Sequence, residues 1–140
     1  MSGEVTKVAR NELQHGPQGE LGSGDGPFTT RQLTRIDEAL TLSSRETGLA
    51  FSVYIGALSA PTRAHAEALF EKLSGSSVLL AVSPGQRSLH IVTGPESAKR
   101  LPNRACALAA LAMRASFTNG DLVGGIITGL RMLADSAGTS

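Results

Sequence analysis

Near the middle of the chain, apolar and polar positions follow a pattern typical of two short strands. Val78–Val82 is a continuous apolar run, as expected of a strand that is buried on both faces. Ser88–Thr93 alternates apolar and polar residues. The connection, Ser83–Arg87, contains Pro84 and Gly85, which favour a tight turn. A connection this short predicts an antiparallel hairpin.

The residues before this hairpin predict a helix, a strand and a second helix. Thr29 and Gln32 have the spacing of a capping box, and the apolar residues that follow predict a helix over Arg31–Glu46. Alternation over Leu49–Ile55 predicts a strand, and Pro61–Ser74 has one apolar face typical of a helix. Together with the first strand of the hairpin, these elements predict a βαβ unit with parallel strands and a right-handed crossover.

After the hairpin the sequence predicts a helical turn over Glu96–Leu101 and then two helices. Asn103 is the expected cap of a helix over Arg104–Ala115, and Asp121 is the expected cap of a helix that ends near Ala134. The predicted fold class is therefore α/β. A small mixed sheet, made of the βαβ unit and the β-hairpin, is flanked by helices in a two-layer or three-layer sandwich.

The length of 140 residues predicts one domain with a sizeable core. Residues 1–27 are rich in glycine and polar residues, so we expect a flexible N-terminal arm there. The α/β domain is expected over residues 28–135, and residues 136–140 are expected to form a disordered tail.

Composition narrows the classes of function. A net charge of +1 and an aromatic content of 4% argue against nucleic acid as a partner. The first residues lack the apolar segment of a signal peptide. The longest apolar run, Ala105–Met113, is far shorter than the roughly 18 residues of a membrane span. Cys106 is the single cysteine, which fits a reducing compartment. We therefore expect a cytoplasmic protein with no direct membrane span.

The last predicted helix contains three glycines, Gly124, Gly125 and Gly129. Each is expected to cost about 1 kcal/mol of helix stability relative to alanine, so their presence needs a reason. Close packing on a neighbouring helix is the favoured explanation. The alternative is an anion at the helix N-terminus. Asp121 would place negative charge at that position, and no Gly-Lys-Ser/Thr sequence follows.

Several segments together resemble the bacterial TPM domain, and in particular its short actinobacterial relatives of unknown function. The segments are VLLAVSPGQRSLHIVTG (residues 78–94), Leu101–Asn103, FTNGDLVGGIITGLRML (residues 117–133) and Glu46–Gly48. The resemblance implies an α/β sandwich over about residues 28–133. TPM domains are usually extracytoplasmic. Some assist photosystem repair or modulate receptors, and plant relatives have acid phosphatase activity.

The resemblance also implies a loop that binds a divalent cation in many TPM domains. In this chain the loop is Gly94–Asn103, in which Glu96 matches the family glutamate and Asn103 stands in place of the family aspartate. Lys99 and Arg100 add positive charge. Because a hard cation prefers several carboxylate oxygens, we predict no metal site and no cofactor.

The leading functional hypothesis is a non-catalytic protein-interaction module that resembles a TPM domain without its metal site. No serine, cysteine or second histidine stands at a spacing that suggests a catalytic triad with His90. The third helix is apolar nearly all round, which suits either the core or a surface for an unknown protein partner or a homodimer.

The alternative hypothesis is a weak phosphatase or anion-binding domain. Its candidate site consists of Glu96, Arg100, Asn103 and Asp121. A related possibility is that four basic residues gather at one end of the sheet and attract an anion, although a solvated surface is the favoured explanation. They are Arg87, Lys99, Arg100 and Arg104.

Overall fold

A computed structural model describes residues 28–139, which form a series of helices and strands. In chain order these are α1 (Thr30–Thr47), β1 (Ala50–Ile55), α2 (Thr62–Phe70), β2 (Ser77–Ser83), β3 (Ser88–Thr93), α3 (Asn103–Thr118) and α4 (Leu122–Ala137). Short 3-10 turns occupy Pro84–Gln86 and Ser97–Lys99. The predicted arm over residues 1–27 lies outside the described residues. Among the helices of residues 28–139, none has the length and apolar character needed to cross a bilayer.

The strands form one mixed sheet in the order β1-β2-β3. β1 and β2 are parallel, with Phe51 opposite Val78. β2 and β3 are antiparallel, with Leu80 opposite Ile91. The predicted βαβ unit, the hairpin and the α/β fold class are therefore confirmed.

β2 lies at the centre of the sheet, and all seven of its residues are buried. Alternate side chains of a strand point to opposite faces, so both faces of the sheet are covered at β2. α2 packs over the face that carries His90, and the Thr62 hydroxyl lies 2.9 Å from Nε2 of His90. α1, α4 and α3 pack side by side as a second helical layer. The fold is a three-layer α/β sandwich, one of the two predicted arrangements.

Local side-chain capping explains where α1 and α4 begin. Thr29 and Gln32 form the predicted capping box, because each side chain bonds to the backbone of the other residue. Asp121 caps α4 through a hydrogen bond from the backbone N–H of Gly124. The prediction that Asn103 caps α3 is wrong. Pro102 occupies the cap position without a side-chain bond, and Asn103 is the first helical residue.

Three helix ends also differ from prediction. α3 continues to Thr118, three residues beyond the predicted end at Ala115. α2 ends at Phe70 instead of Ser74, because the following residues form a tighter turn in which the N–H of Leu73 donates to the carbonyl of Phe70. α4 continues to Ala137, three residues beyond the predicted end at Ala134, and Gly138 caps it.

The turn of the hairpin is held by the side chain of Gln86. Its amide nitrogen donates to the Leu58 carbonyl at 2.8 Å, and its amide oxygen accepts from the Leu58 N–H at 2.8 Å. The same oxygen accepts from the Ser83 hydroxyl. The next residue, Arg87, has a φ of 54°, in the left-handed region. The hairpin turn is therefore fastened to the loop after β1.

The glycines of α4 lie where this helix meets α3. Gly125 and Gly129 are buried, and their spacing of four residues places them on one face. A Cβ added to Gly125 would lie 2.6 Å from Cε1 of Phe117, and one added to Gly129 would lie 2.7 Å from Cγ of Met113. Both neighbours belong to α3. The prediction of close helix packing is confirmed at these two positions.

Gly124 has a different environment. A Cβ at this position would meet the carboxylate of Asp121, the cap of α4, instead of a neighbouring helix. Gly124→Ala is expected to disturb this cap. It is also expected to stabilise the helix by about 1 kcal/mol, because alanine has a higher helix propensity than glycine. The two effects oppose each other, so we expect a small net change in stability.

Alanine substitution tests the close packing of α3 and α4. Gly125→Ala and Gly129→Ala should each lower the free energy of unfolding by about 1–3 kcal/mol, because the added methyl group overpacks the contact with α3. Gly85→Ala is the control, since no atom lies within 4 Å of the added Cβ. Its effect should stay within about 0.5 kcal/mol. Urea titration measures all three, and stabilisation by both α4 substitutions would contradict the packing.

Candidate functional site

The side chain of Arg100 forms hydrogen bonds with backbone carbonyls. Its guanidinium donates to the carbonyls of Thr47 at 2.7 Å, Ala137 at 3.1 Å and Gly138 at 2.8 Å. Thr47 is the last residue of α1 and Ala137 is the last residue of α4. The last carbonyls of a helix have no partner within the helix and carry partial negative charge. A cation beside them therefore stabilises the helix end. Arg100 thus joins two helix ends, and this explains its position without an external anion.

The fold separates one of the other three candidate residues, Asp121, from Arg100. Asp121 lies at the N-terminus of α4, whereas Arg100 binds its C-terminus, and the 16 residues between span about 24 Å. Glu96 lies beside Gly75: a Cβ on that glycine would be 3.0 Å from Oε1 of Glu96. Asn103 is exposed at the start of α3.

The loop over residues 94–103, for which the sequence resemblance implied a cation site, does not supply the ligands that a hard cation needs. Glu96 is the single carboxylate of residues 94–103, and the same loop contains Lys99 and Arg100. Across residues 28–139, no group of three or more His, Cys, Asp and Glu side chains is arranged to hold a metal ion. A divalent cation is therefore a poor fit to this loop.

The basic residues that were considered as one cluster are divided between two ends of the sheet. Arg87 lies at the hairpin turn, before β3, whereas Lys99, Arg100 and Arg104 follow β3 at its other end. α3 then returns toward the hairpin, and the Arg114 side chain reaches β3 at Leu89. Sequence proximity therefore gave a cluster that the fold separates, and it missed the approach of Arg114 to the hairpin end.

Two arginines line the open edge of β3. The Arg63 guanidinium, from α2, donates to the Ile91 carbonyl at 3.3 Å, and that of Arg114, from α3, donates to the Leu89 carbonyl at 3.2 Å. β3 is an edge strand, whose outward carbonyls would otherwise be available to another strand. The two cations therefore protect this edge from strand addition.

His90 lies on β3 between these arginines. Partial burial lowers its pKa, as do the positive charges of Arg63 and, to a smaller extent, Arg114, while Glu67 has the opposite effect. The Thr62 hydroxyl lies 2.9 Å from Nε2. The neutral imidazole is favoured, and it fastens β3 to the start of α2. This contact suits a structural role for His90.

A groove opens at the hairpin end of the molecule, between the β2–β3 turn and the α3–α4 turn. Its volume is about 470 Å³. Arg87 and Arg114 supply its charged groups, and Leu89, Phe117 and Leu122 supply much of its apolar surface. These residues come from two separate segments, 82–89 and 114–122, so no local sequence motif predicts the groove.

The outer face of α3 is apolar and exposed. Leu108 is 51% exposed and Leu111 is 66% exposed. Arg104, Ala107 and Ala115 are exposed at neighbouring positions of the same helix. The opposite side of α3 buries Ala109 and Met113 in the core. The apolar character predicted from the sequence therefore belongs to two surfaces: one packs on α4, and the other is open to solvent.

Replacement of Arg100 tests its role at the helix ends. Arg100→Met keeps the aliphatic part of the side chain but removes the donors to three carbonyls, so unfolding should become easier by about 2 kcal/mol. Lys99→Met is the control, because Lys99 is exposed on the adjacent position. Chemical denaturation measures both variants. Equal, small effects would show that the carbonyl contacts contribute little.

The lowered pKa of His90 gives a stability change with a defined sign. In the unfolded chain a histidine titrates near 6.5, so below this pH the unfolded state binds a proton that the folded state resists. Wild-type stability should therefore fall as the pH falls from 6.5 toward the lower pKa of the folded state. In His90→Gln this part of the pH dependence of stability should be absent. Urea titrations across the range measure the difference, and an NMR titration midpoint of His90 above 6.5 would contradict it.

Curated relatives match most of the chain. It is 36% identical over 110 residues to uncharacterized proteins from two strains of Mycobacterium tuberculosis, CDC 1551 / Oshkosh and H37Rv. The alignment covers 77% of this chain and 66% of each relative, so the chain spans just under two thirds of the length of these proteins.

Solved structures show the same fold. The N-terminal domain of a P. gingivalis protein has a TM-score of 0.70 at 17% identity, covering 79% of this chain and 76% of that one. The BA42 protein from the psychrophilic bacterium Bizionia argentinensis has a TM-score of 0.68 at 15% identity, covering 79% and 81%. The N-terminal domain of the cg2496 protein from Corynebacterium glutamicum has a TM-score of 0.64 at 16% identity, covering 81% and 76%.

A family model also matches nearly the whole chain. It covers residues 4–134 and is described as a domain of unknown function, DUF5130. The chain belongs to this DUF5130 family.

Proposed function

We propose that this domain is a non-catalytic protein-interaction module whose contact surface is the outer face of α3. The observation that carries the proposal is the exposure of Leu108 and Leu111, at 51% and 66%. They lie three residues apart, so they share one face of the helix. Removing two neighbouring leucines from water is favourable, and a partner protein supplies that burial.

The charges of α3 define the kind of partner. The helix contains two charged residues, Arg104 and Arg114, which lie on either side of the leucines along its axis. Both are exposed. Arg114 donates to the Leu89 carbonyl, so Arg104 is the charged group left for a partner. A partner surface with an apolar stripe and an acidic residue at the Arg104 end would bury the leucines and pair with this arginine. An amphipathic helix with this pattern has the shape to pack along α3.

A second copy of this chain fits the surface less well. A two-fold contact between two α3 helices would bring arginines together and would supply no acidic residue from either helix. Like charges at a contact oppose association. The proposal therefore commits to a different protein as the partner, and a homodimer becomes an outcome of the test.

We further propose that the domain is a TPM-like domain that has lost its metal site and acts in the cytoplasm. The order of strand, hairpin and glycine-containing helix supports the likeness, and the poor fit of residues 94–103 to a cation supports the loss of the metal site. The alternative of a phosphatase or anion site made of the four candidate residues has less support. Arg100 binds backbone carbonyls, and Asp121 lies at the far end of α4.

The test uses a partner captured from cells that make the protein, then purified and titrated against defined variants. Leu108→Gln and Leu111→Gln should each weaken binding about tenfold or more, because burial of a leucine side chain contributes about 1.5–3 kcal/mol. Arg104→Gln should weaken binding less, and its effect should decrease at high salt. Isothermal titration calorimetry measures each affinity.

Leu42→Gln is the matched control, because Leu42 is 53% exposed on another helix, α1. It should leave the affinity unchanged. All of these variants should retain wild-type stability within about 0.5 kcal/mol, since exposed positions tolerate substitution. Binding that survives both α3 leucine variants would reject the proposed surface. A homodimer that dissociates in Leu111→Gln would reject the proposal of a different partner.

A further inference from the structure

The groove at the hairpin end goes beyond the proposed interaction surface. From its lining we propose that it binds a small amphiphilic anion, namely a carboxylate or phosphate group attached to a short apolar body. The shared chemistry of the two head groups is a set of anionic oxygens that a guanidinium binds through paired hydrogen bonds.

The size of the groove suits a small molecule. Its volume of about 470 Å³ falls within the range of roughly 300–1,000 Å³ that is usual for ligand pockets. Its walls come from the end of β2, the hairpin turn, the start of β3, the end of α3 and the α3–α4 turn. The Gln86 bonds to Leu58 hold the hairpin turn in place, so one wall is fixed before any ligand arrives.

The charge of the lining selects an anion. Arg87 and Arg114 both line the groove, and none of the described lining residues is acidic. One Arg114 nitrogen donates to the Leu89 carbonyl, which positions the guanidinium at the wall. The Arg87 side chain has no hydrogen bond or ion pair with residues 28–139. Asp121 is adjacent in sequence to the lining, and its carboxylate is bonded to the Gly124 N–H of α4.

The rest of the lining selects an apolar body. Val82, Leu89, Phe117 and Leu122 line the groove together with Pro84. Hydroxyl groups of three further lining residues are able to bond additional oxygens of a head group. They are Ser83, Ser88 and Thr118. A bare inorganic anion would leave the apolar wall exposed, and a neutral apolar molecule would leave the arginines unpaired. An amphiphilic anion satisfies both.

Binding is tested by NMR titration of the full chain with hexanoate and hexyl phosphate. We expect saturable shifts of the backbone N–H signals of Ser88, Leu89 and Gly120. Hexanol and inorganic phosphate are the controls for each half of the ligand, and both should bind at least tenfold more weakly. The tighter of the two anionic probes identifies the preferred head group.

Substitutions assign the charge to named residues. Arg87→Gln should weaken the binding of both anionic probes about tenfold, because it removes a charge-assisted contact with the head group. The substitution should not disturb the fold, since the Arg87 side chain has no partner among the described residues. Arg114→Gln should have a similar effect. Arg104→Gln is the matched control, since Arg104 is an exposed arginine of α3 outside the groove, and it should change nothing. Leu111→Gln should also leave probe binding unchanged, which separates the groove from the protein-binding face.

Three results would overturn the inference. The first is the absence of shifts around the groove with either anionic probe. The second is equal binding of hexanol or inorganic phosphate, because one half of the ligand would then be irrelevant. The third is unchanged affinity in Arg87→Gln, because the Arg87 side chain makes no hydrogen bond with residues 28–139 and its replacement should leave the groove intact.

Discussion

The burial of β2 on both faces is the constraint on which the rest of the fold depends. A strand with no exposed residue requires a helical layer on each side, and the chain supplies α2 on one side and α1, α4 and α3 as the other layer. α3 is at the margin of this arrangement, because it packs mainly on α4 and touches the sheet at β3. One side of α3 is therefore left to solvent, and this is the side that carries Leu108 and Leu111.

Arginine side chains bind backbone carbonyls at helix ends and at the edge of the sheet. Arg100 binds the carbonyls at the C-termini of α1 and α4, while Arg63 and Arg114 bind carbonyls at the open edge of β3. Buried or half-buried carbonyls without partners destabilise a fold. These arginines therefore have a structural role, which the composition of the chain does not reveal. Arg87 differs from them, because its side chain lines the groove without a bond to the described residues.

The periodicity of the sequence was sufficient to predict the elements and their order. The apolar run at β2, the capping box at Thr29 and the glycines of α4 each indicate a local property that the fold retains. The candidate site was harder to predict, because residue type alone groups Arg100 with Asp121, whereas the fold places them at opposite ends of α4. The groove is lined by residues from distant segments, and the periodicity of the sequence does not predict that these segments meet.

We propose that the open side of α3 meets another protein, and photo-crosslinking in living cells tests this contact. A photoreactive amino acid is placed at Leu111 in one variant and at Leu42, the exposed leucine of α1, in another. We expect a discrete adduct with a different protein from position 111, and no such adduct from position 42. An adduct between two copies of this chain, or the same adducts from both positions, would contradict it.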